Sequence, residues 1–420
     1  MNADTSKLNV LIIGAGHYST GTTSLTGRKA TDKDLGVFLP SVLALKQEGL
    51  VGKLGLVATD GDRISKVRRD WLSRAEEYFP SVEIECFPAE GVVNTEAYID
   101  ALKSMPRPCV AFIAVPDHSH KKIITACAEE GVHFLVVKPA VTSLRDFYDV
   151  LELIDRKQVF GMVDYHKVFD EANILIKDEY QRGCYGGMQH AMSLMTQRRD
   201  MLDIYSRHLA SKSATNINHY LGSHYIHMLG YITAARVLDV RATAQYGVAE
   251  KKFNKAGIAD LIETQVRWRD ADGDIFTSYH ISGWSDPSET ESMTYQELHL
   301  LCENGHIDSD QRYRGFRKVI AGEGSSASNP YFFNLTREPR GRLGLNTKYG
   351  FLSVRAFVES CLAYLEGSVS LPQLDEMLPT LRESATVTAI LEAADLSLAN
   401  DSCVVVADYD NDRYSLRAIK

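Results

Sequence analysis

Gly14 and Gly16 stand one residue apart at the end of the apolar run Val10-Leu11-Ile12-Ile13, where a phosphate-binding turn needs them. The first glycine permits a tight turn, and the second removes a side chain where backbone must approach a pyrophosphate. His17, Tyr18 and Ser19 open the segment whose free N–H groups would face the phosphates. Ser19 replaces the third glycine of G-x-G-x-x-G, and Gly21 comes two residues late. Asp60 ends the apolar segment 54–59; its carboxylate could accept ribose hydroxyls and repel a 2'-phosphate, favouring NAD over NADP. Within Thr-Asp-Gly-Asp the same residue also suits an ordinary acidic turn, and the nearby Arg63 keeps NADP open. Lys138 follows Phe134-Leu135-Val136-Val137 and precedes Pro139. An ammonium partly desolvated at the carboxyl edge of a sheet could take a proton from a substrate hydroxyl, although a lysine after a strand is ordinarily just solvated. Tyr220, His224 and His227 are spaced by four and three and share one face of an expected helix. A histidine there either relays a proton near neutral pH or is an interior group. His219 lies five residues from His224 and faces elsewhere, which argues against a three-histidine zinc site and for chemistry without a metal.

The elements that must hold these groups alternate. Apolar runs at 10–13, 54–59, 109–115 and 134–137, with a short strand expected over 82–87, are separated by helical patterns, which predicts a parallel, doubly wound α/β sheet with right-handed crossovers. The run Cys109 to Val115 is apolar throughout, as in a strand buried on both faces, and delivers Pro116-Asp117-His118-Ser119-His120 to the carboxyl edge, where ligands bind in open α/β sheets. Asp117 and His118 are expected to touch a cofactor through their loop backbone, together with Val115 and Pro116; His120 is read as a cap of the next helix. Residues 20–36 are rich in Thr, Gly and charge and read as an insertion, which explains why Asp60 stands 44 residues after Gly16 instead of about 20.

At 420 residues the chain is too long for one ordinary core, and a division into 1–146 and 147–420 is expected. The net charge of -9 argues against a general nucleic-acid binder. No apolar run is long enough for a membrane span and the first eight residues lack the layout of a secretory signal, so a cytoplasmic protein is expected. Seven dispersed cysteines without C-x-x-C argue against a disulfide framework or a zinc ribbon.

Gly14-Ala15-Gly16, Val115 to His120, Val137-Lys138-Pro139-Ala140 and Val163 to Asp170 together resemble, in order and spacing, the glucose-fructose oxidoreductase, inositol dehydrogenase and MocA family. The resemblance implies an N-terminal Rossmann domain and a C-terminal α+β domain on an open, largely antiparallel sheet. It also implies NAD(P)-dependent oxidation of a sugar, sugar acid or polyol, and dimers or tetramers. It places Lys138 and His224 as catalytic residues, with Tyr220 where the family has an aspartate. The residues bordering substrate would be Lys138, His166, Tyr220, His224 and His227. Three further departures are visible: Val137 replaces a glutamate, Val168 an arginine, and His166 a frequent asparagine. The missing carboxylates leave open a non-redox nucleotide-binding regulator or scaffold; a third class is an enzyme that keeps NAD bound and uses transient oxidation to enable elimination or glycoside cleavage.

In the second half, Asp270 to Asp274 and Asn304-Gly305 read as hairpin turns between strands. Gly322 to Gly344 reads as a long exposed loop, a candidate lid or oligomer contact.

Overall fold

The computed structural model describes residues 7–22, 33–203, 215–322 and 324–419. They form two compact units: residues 1–140, 148–166 and 331–383 make the first, and residues 141–147, 167–330 and 384–420 the second.

The first unit is built on six parallel strands: β1 (Leu8–Ile13), β2 (Val51–Val57), β3 (Glu85–Phe87), β4 (Cys109–Ile113), β5 (His133–Val137) and β6 (Gly161–Asp164). Their order, β3-β2-β1-β4-β5-β6, is that of a doubly wound dinucleotide fold, whose switch point lies between β1 and β4. The central strands are apolar on both sides because helices cover both: all five residues of β4 are buried. One covering layer pairs helix Phe38–Gln47 with helix Tyr349–Leu365. Phe38 packs on Phe112 at 5.2 Å between ring centroids, and Phe357 on Phe112 at 5.3 Å and Phe160 at 5.7 Å. This apolar contact explains why residues 331–383 return to the first unit, where a single boundary at 146/147 would assign them to the second.

Residues 23–32 of the expected insertion lie outside the described residues. Its ends are held together: a Cβ on Gly21 would meet Asp34 O at 2.2 Å, and one on Gly36 the Ser19 backbone at 2.5 Å. The close approach usually made by the third glycine of the turn is thus supplied from the far end of the insertion by Gly36. Nor is 322–344 one exposed loop. Its first residues form strand β14 (Gly324–Ala327), paired with β13 (Arg317–Ile320), and Phe332 and Phe333 are buried. Arg337 donates to Glu77 O at 2.7 Å.

The second unit carries an eight-stranded sheet of β7 (Met188–Arg198), β8 (Arg236–Tyr246), β9 (Ala259–Arg269), β10 (Ile275–Asp286), β11 (Thr294–Cys302), β12 (Gly305–Asp310), β15 (Val404–Asp410) and β16 (Arg413–Ile419). The order is β12-β11-β7-β10-β9-β8-β15-β16, antiparallel except for β7 beside β10. Alternation decides its faces: Ile262, Thr264, Val266 and Trp268 of β9 are buried, and helices Ser223–Thr233 and Ala385–Ala399 pack against the sheet. On the opposite face Met192 and Leu301 are 43% and 48% exposed. Both expected hairpins are present, β9 to β10 and β11 to β12.

Two buried histidines tie stability to pH. In the first unit His133 Nδ1 accepts the Phe160 N–H at 3.0 Å, and burial pushes its pKa from 6.5 down to about 4. In the second, Trp268 donates to Ser278, whose hydroxyl bonds His280 Nε2 at 2.8 Å while Nδ1 meets Ser193 Oγ at 2.8 Å; burial lowers His280 to about 3. Unfolded chains bind these protons near pH 6.5 and the folded protein does not, so stability is full above that value and declines as pH falls. His133 alone is expected to remove about 3 kcal/mol between its unfolded and folded pKa values. Urea midpoints of wild type and His133→Gln at stepped pH check this, the variant showing the shallower decline.

Candidate active site

The turn after β1 is shaped by two glycines with different duties. Gly14 has φ +106, donates its N–H to Val57 O at 2.8 Å, and a Cβ there would lie 2.1 Å from Ala114 O on the neighbouring strand end. Gly16 has φ -90, which any residue adopts, and nothing lies within 4 Å of its would-be Cβ. Packing therefore explains Gly14 and does not explain Gly16; open space where a side chain would stand is what a dinucleotide pyrophosphate requires. The residues present thus fit a bound dinucleotide. His17, Tyr18, Ser19 and Thr20 form one helical turn, with Ser19 buried.

Asp60 lies just beyond β2 as the N-cap of helix Gly61–Ala75, and its Oδ1 accepts the Arg63 N–H at 3.0 Å. The turn reading of Asp60 is therefore realised through one carboxylate oxygen. Val115 and Pro116 continue from β4 into the short turn Asp117–Ser119, in which Asp117 is buried and accepts the His118 N–H at 2.9 Å, while the His118 side chain is exposed. Lys138, half-buried, follows the last residue of β5. All of these stand at the carboxyl ends of β1, β2, β4 and β5, as a dinucleotide site of this topology demands.

His166 follows β6 within a cluster of the first unit that the sequence did not announce. Tyr18 donates its phenol to Asp164 Oδ2 at 2.5 Å, and Ser353 donates to Asp164 Oδ1 at 2.6 Å. His166 Nδ1 lies 3.2 Å from the Tyr18 oxygen and 3.8 Å from Asp164 Oδ2; its ring stacks on Tyr349 and tilts against Phe332. Burial alone would raise the Asp164 pKa, but the charge and hydrogen bond of His166, with the Ser353 and Tyr18 hydroxyls, outweigh it and lower the value. Tyr18 and His166, expected to touch cofactor and substrate respectively, are thereby joined through Asp164. The available signal was a carboxylate ending a buried strand. The depressed pKa means that Asp164 stabilises the fold above the ordinary carboxylate range and ceases to do so as pH falls through its lowered value. Asp164→Asn is expected to cost about 1–3 kcal/mol at neutral pH. The gap from wild type should shrink in acid, as chemical denaturation at two pH values will show.

In the second unit the helix expected over 216–229 is interrupted. Asn218–Gly222 is a turn of π-helix, followed by helix Ser223–Thr233. A Cβ on Gly222 would meet the side chains of Asn218 at 2.0 Å and of Ser282 on β10 at 3.0 Å, so a larger residue there would have to displace both. The wide turn breaks the 3.6-residue period between Tyr220 and His224, so the spacing of four no longer defines one face there, whereas His224 and His227, three apart in the regular helix, keep theirs. Tyr220 is half-buried and both histidines are buried. Burial, reinforced by the Lys177 charge, lowers His227 to about 3, so it acts at neutral pH only as a neutral ring. His219 is taken up elsewhere: its Nε2 lies 2.8 Å from Asp395 Oδ2, and Asn216 bonds the other Asp395 oxygen at 2.7 Å. Lys167, beside His166 in sequence, joins a separate network in this unit, donating to Gln296 and Gln311 at 2.6 and 2.7 Å. Arg198 is paired with Asp200.

Residues 8–165 match the family described as "Oxidoreductase family, NAD-binding Rossmann fold", GFO_IDH_MocA. No curated protein matches the sequence significantly. Among solved structures, an inositol dehydrogenase homolog from Azotobacter vinelandii, complexed with NADH and myo-inositol, is 12% identical with a TM-score of 0.67, covering 96% of this chain and 98% of that chain. The apo scyllo-inositol dehydrogenase from Lactobacillus casei is 14% identical with a TM-score of 0.64, covering 96% and 98%. The same enzyme with bound NAD(H) and scyllo-inositol is 12% identical with a TM-score of 0.63, covering 95% and 99%. At these identities the likeness establishes a shared fold over nearly the whole chain. Together with the turn and strand order, the family match makes residues 8–165 an NAD-binding Rossmann domain similar to that of the glucose-fructose oxidoreductase, inositol dehydrogenase and MocA oxidoreductases.

Proposed function

We propose that this protein is an NAD-dependent dehydrogenase that oxidises a hydroxyl carbon of a sugar, sugar acid or polyol. The observation that carries the proposal is Gly16, a residue with unstrained backbone and open space above it in a turn whose other glycine is demanded by packing. Gly14, Gly16, His17, Tyr18, Ser19, Val115, Pro116, Asp117 and His118 would hold the dinucleotide, and the Asp60 carboxylate would favour a free ribose hydroxyl over a 2'-phosphate. Bound NAD supplies a hydride acceptor. Lys138 takes the proton of the reacting hydroxyl at Nζ, for which it must be neutral when substrate arrives. His166 is the first unit's residue proposed to bind substrate hydroxyls; Tyr220, His224 and His227 are the second unit's own candidates for contacts with substrate.

Cyclic polyols are the first substrates to test, since two of the similar structures hold scyllo-inositol and myo-inositol. Absorbance of reduced nucleotide over a panel of inositols, sugars and sugar acids, with NAD and NADP in parallel, is expected to show reduction with NAD preferred. Nucleotide binding without reduction by any member would overturn the dehydrogenase reading. The exposed Met192 and Leu301 on the open sheet face support a homodimer or homotetramer, which light scattering after size exclusion will test. Among the described residues no helix is long and apolar enough to cross a membrane, and all seven cysteines are free, which supports a reducing, cytoplasmic setting.

A further inference from the structure

His120 is the first residue of helix His120–Glu129, yet its side chain does not cap that helix. The ring is 1% exposed and reaches across the carboxyl edge of the first unit's sheet. Nδ1 lies 2.9 Å from Pro139 O and 3.2 Å from Ala140 O, and Nε2 lies 3.0 Å from Val115 O. Pro139 and Ala140 are the two residues immediately after Lys138, and Val115 lies in the loop leaving β4. We infer that His120 is a positioning residue for Lys138, a rigid brace between the β4 and β5 loops that fixes the backbone from which the ammonium extends.

Three carbonyl oxygens converge on one imidazole, and the two sides of the ring are not equivalent. A neutral ring carries one N–H, so it donates either towards Pro139 and Ala140 or towards Val115, and the opposite carbonyl then faces a lone pair. Burial lowers the pKa of His120, while Asp117 and the three carbonyls act to raise it. Either donor arrangement keeps the planar ring wedged between the loops. Placing a reacting group correctly is worth orders of magnitude, and a shift of about 1 Å costs on the order of 10²-fold. The backbone one residue beyond Lys138 is therefore where a brace has leverage on the proton acceptor without touching substrate.

The inference rests on the proposed role of Lys138, and the test separates the two. His120→Ala is expected to lower kcat about 10–100-fold while the dissociation constant for NAD stays within about threefold of wild type. His120→Asn places an amide donor near the Nδ1 position and is expected to recover most of that loss; His120→Gln, whose donor lies near Nε2 on the Val115 side, recovers less. A purely structural histidine would instead lose kcat and NAD binding together, in proportion to the fraction folded. Independently of activity, the acylation rate of Lys138 by an amine-directed reagent, read by mass spectrometry on folded protein, is expected to rise about threefold or more in His120→Ala as the loop loosens. Unchanged kcat in His120→Ala, where Lys138→Ala is inactive, overturns the inference and leaves the lysine's role standing. Full activity in Lys138→Ala overturns that role, and the acylation rate then decides the brace: an unchanged rate in folded His120→Ala removes it.

Discussion

Replacing Lys138 by alanine is expected to lower kcat on the responsive polyol about 10²–10⁴-fold, the range that a positioned general base supplies, with NAD affinity within about threefold of wild type. The expectation follows from placement. Lys138 leaves the end of β5, half-buried at the carboxyl edge, and the dinucleotide turn is built by Gly14 and Gly16 at the end of β1. On the proposed mechanism, removing the amine removes the proton acceptor and leaves the Gly14–Gly16 turn intact. Lys138→Arg sharpens the point, because a guanidinium keeps the charge and cannot take up a proton at any working pH. Both variants are expected to be inactive, whereas loss of charge alone as the cause would leave the arginine variant active. Steady-state rates and NAD titrations on the same samples decide it.

The second large effect is a contrast between neighbouring glycines. Gly14→Ala is expected to destabilise the protein by more than about 3 kcal/mol, because alanine would have to adopt φ +106 with its methyl 2.1 Å from the Ala114 oxygen. Gly16→Ala is expected to melt close to wild type, since its backbone is ordinary and the methyl meets nothing within 4 Å. Its NAD affinity should nevertheless fall at least about tenfold, or about 1.4 kcal/mol, because the methyl would fill space left for a ligand. Thermal melting and NAD titration form the measurement. Equal NAD affinity in wild type and Gly16→Ala would show that the space above this turn is not a nucleotide site.

Five of the six strands of the parallel sheet were legible because the central ones are continuous apolar runs broken by helical periodicity; the four-residue β6, which ends on Asp164, is too short to give that signal. The second unit's hairpins were legible for a similar reason, with Asp270 to Asp274 and Asn304-Gly305 marking their turns. The cluster of Tyr18, Asp164, His166 and Ser353 was not, because it joins the helical turn after β1, the end of β6 and helix Tyr349–Leu365 across more than 300 residues of chain. No local pattern encodes such a contact. The π-turn at Asn218–Gly222 escaped for the opposite reason: the sequence there has a good helical pattern, and the widened turn packs against β10, a contact that spacing does not show. His120 was assigned to the helix it begins, since ring contacts with three distant carbonyls leave no trace in spacing.

The return of helix Tyr349–Leu365 to the first unit also sets a timetable for synthesis. The last strand of the parallel sheet is translated by Asp164, but Phe357, which covers Phe112 and Phe160, does not exist until much later. At about 5–20 residues per second the interval is roughly 10–40 s. During it, a nascent chain carries a finished row of strands with part of one apolar face bare. The Gly14–Gly16 turn is thus made long before the helix that completes the covering layer of its sheet.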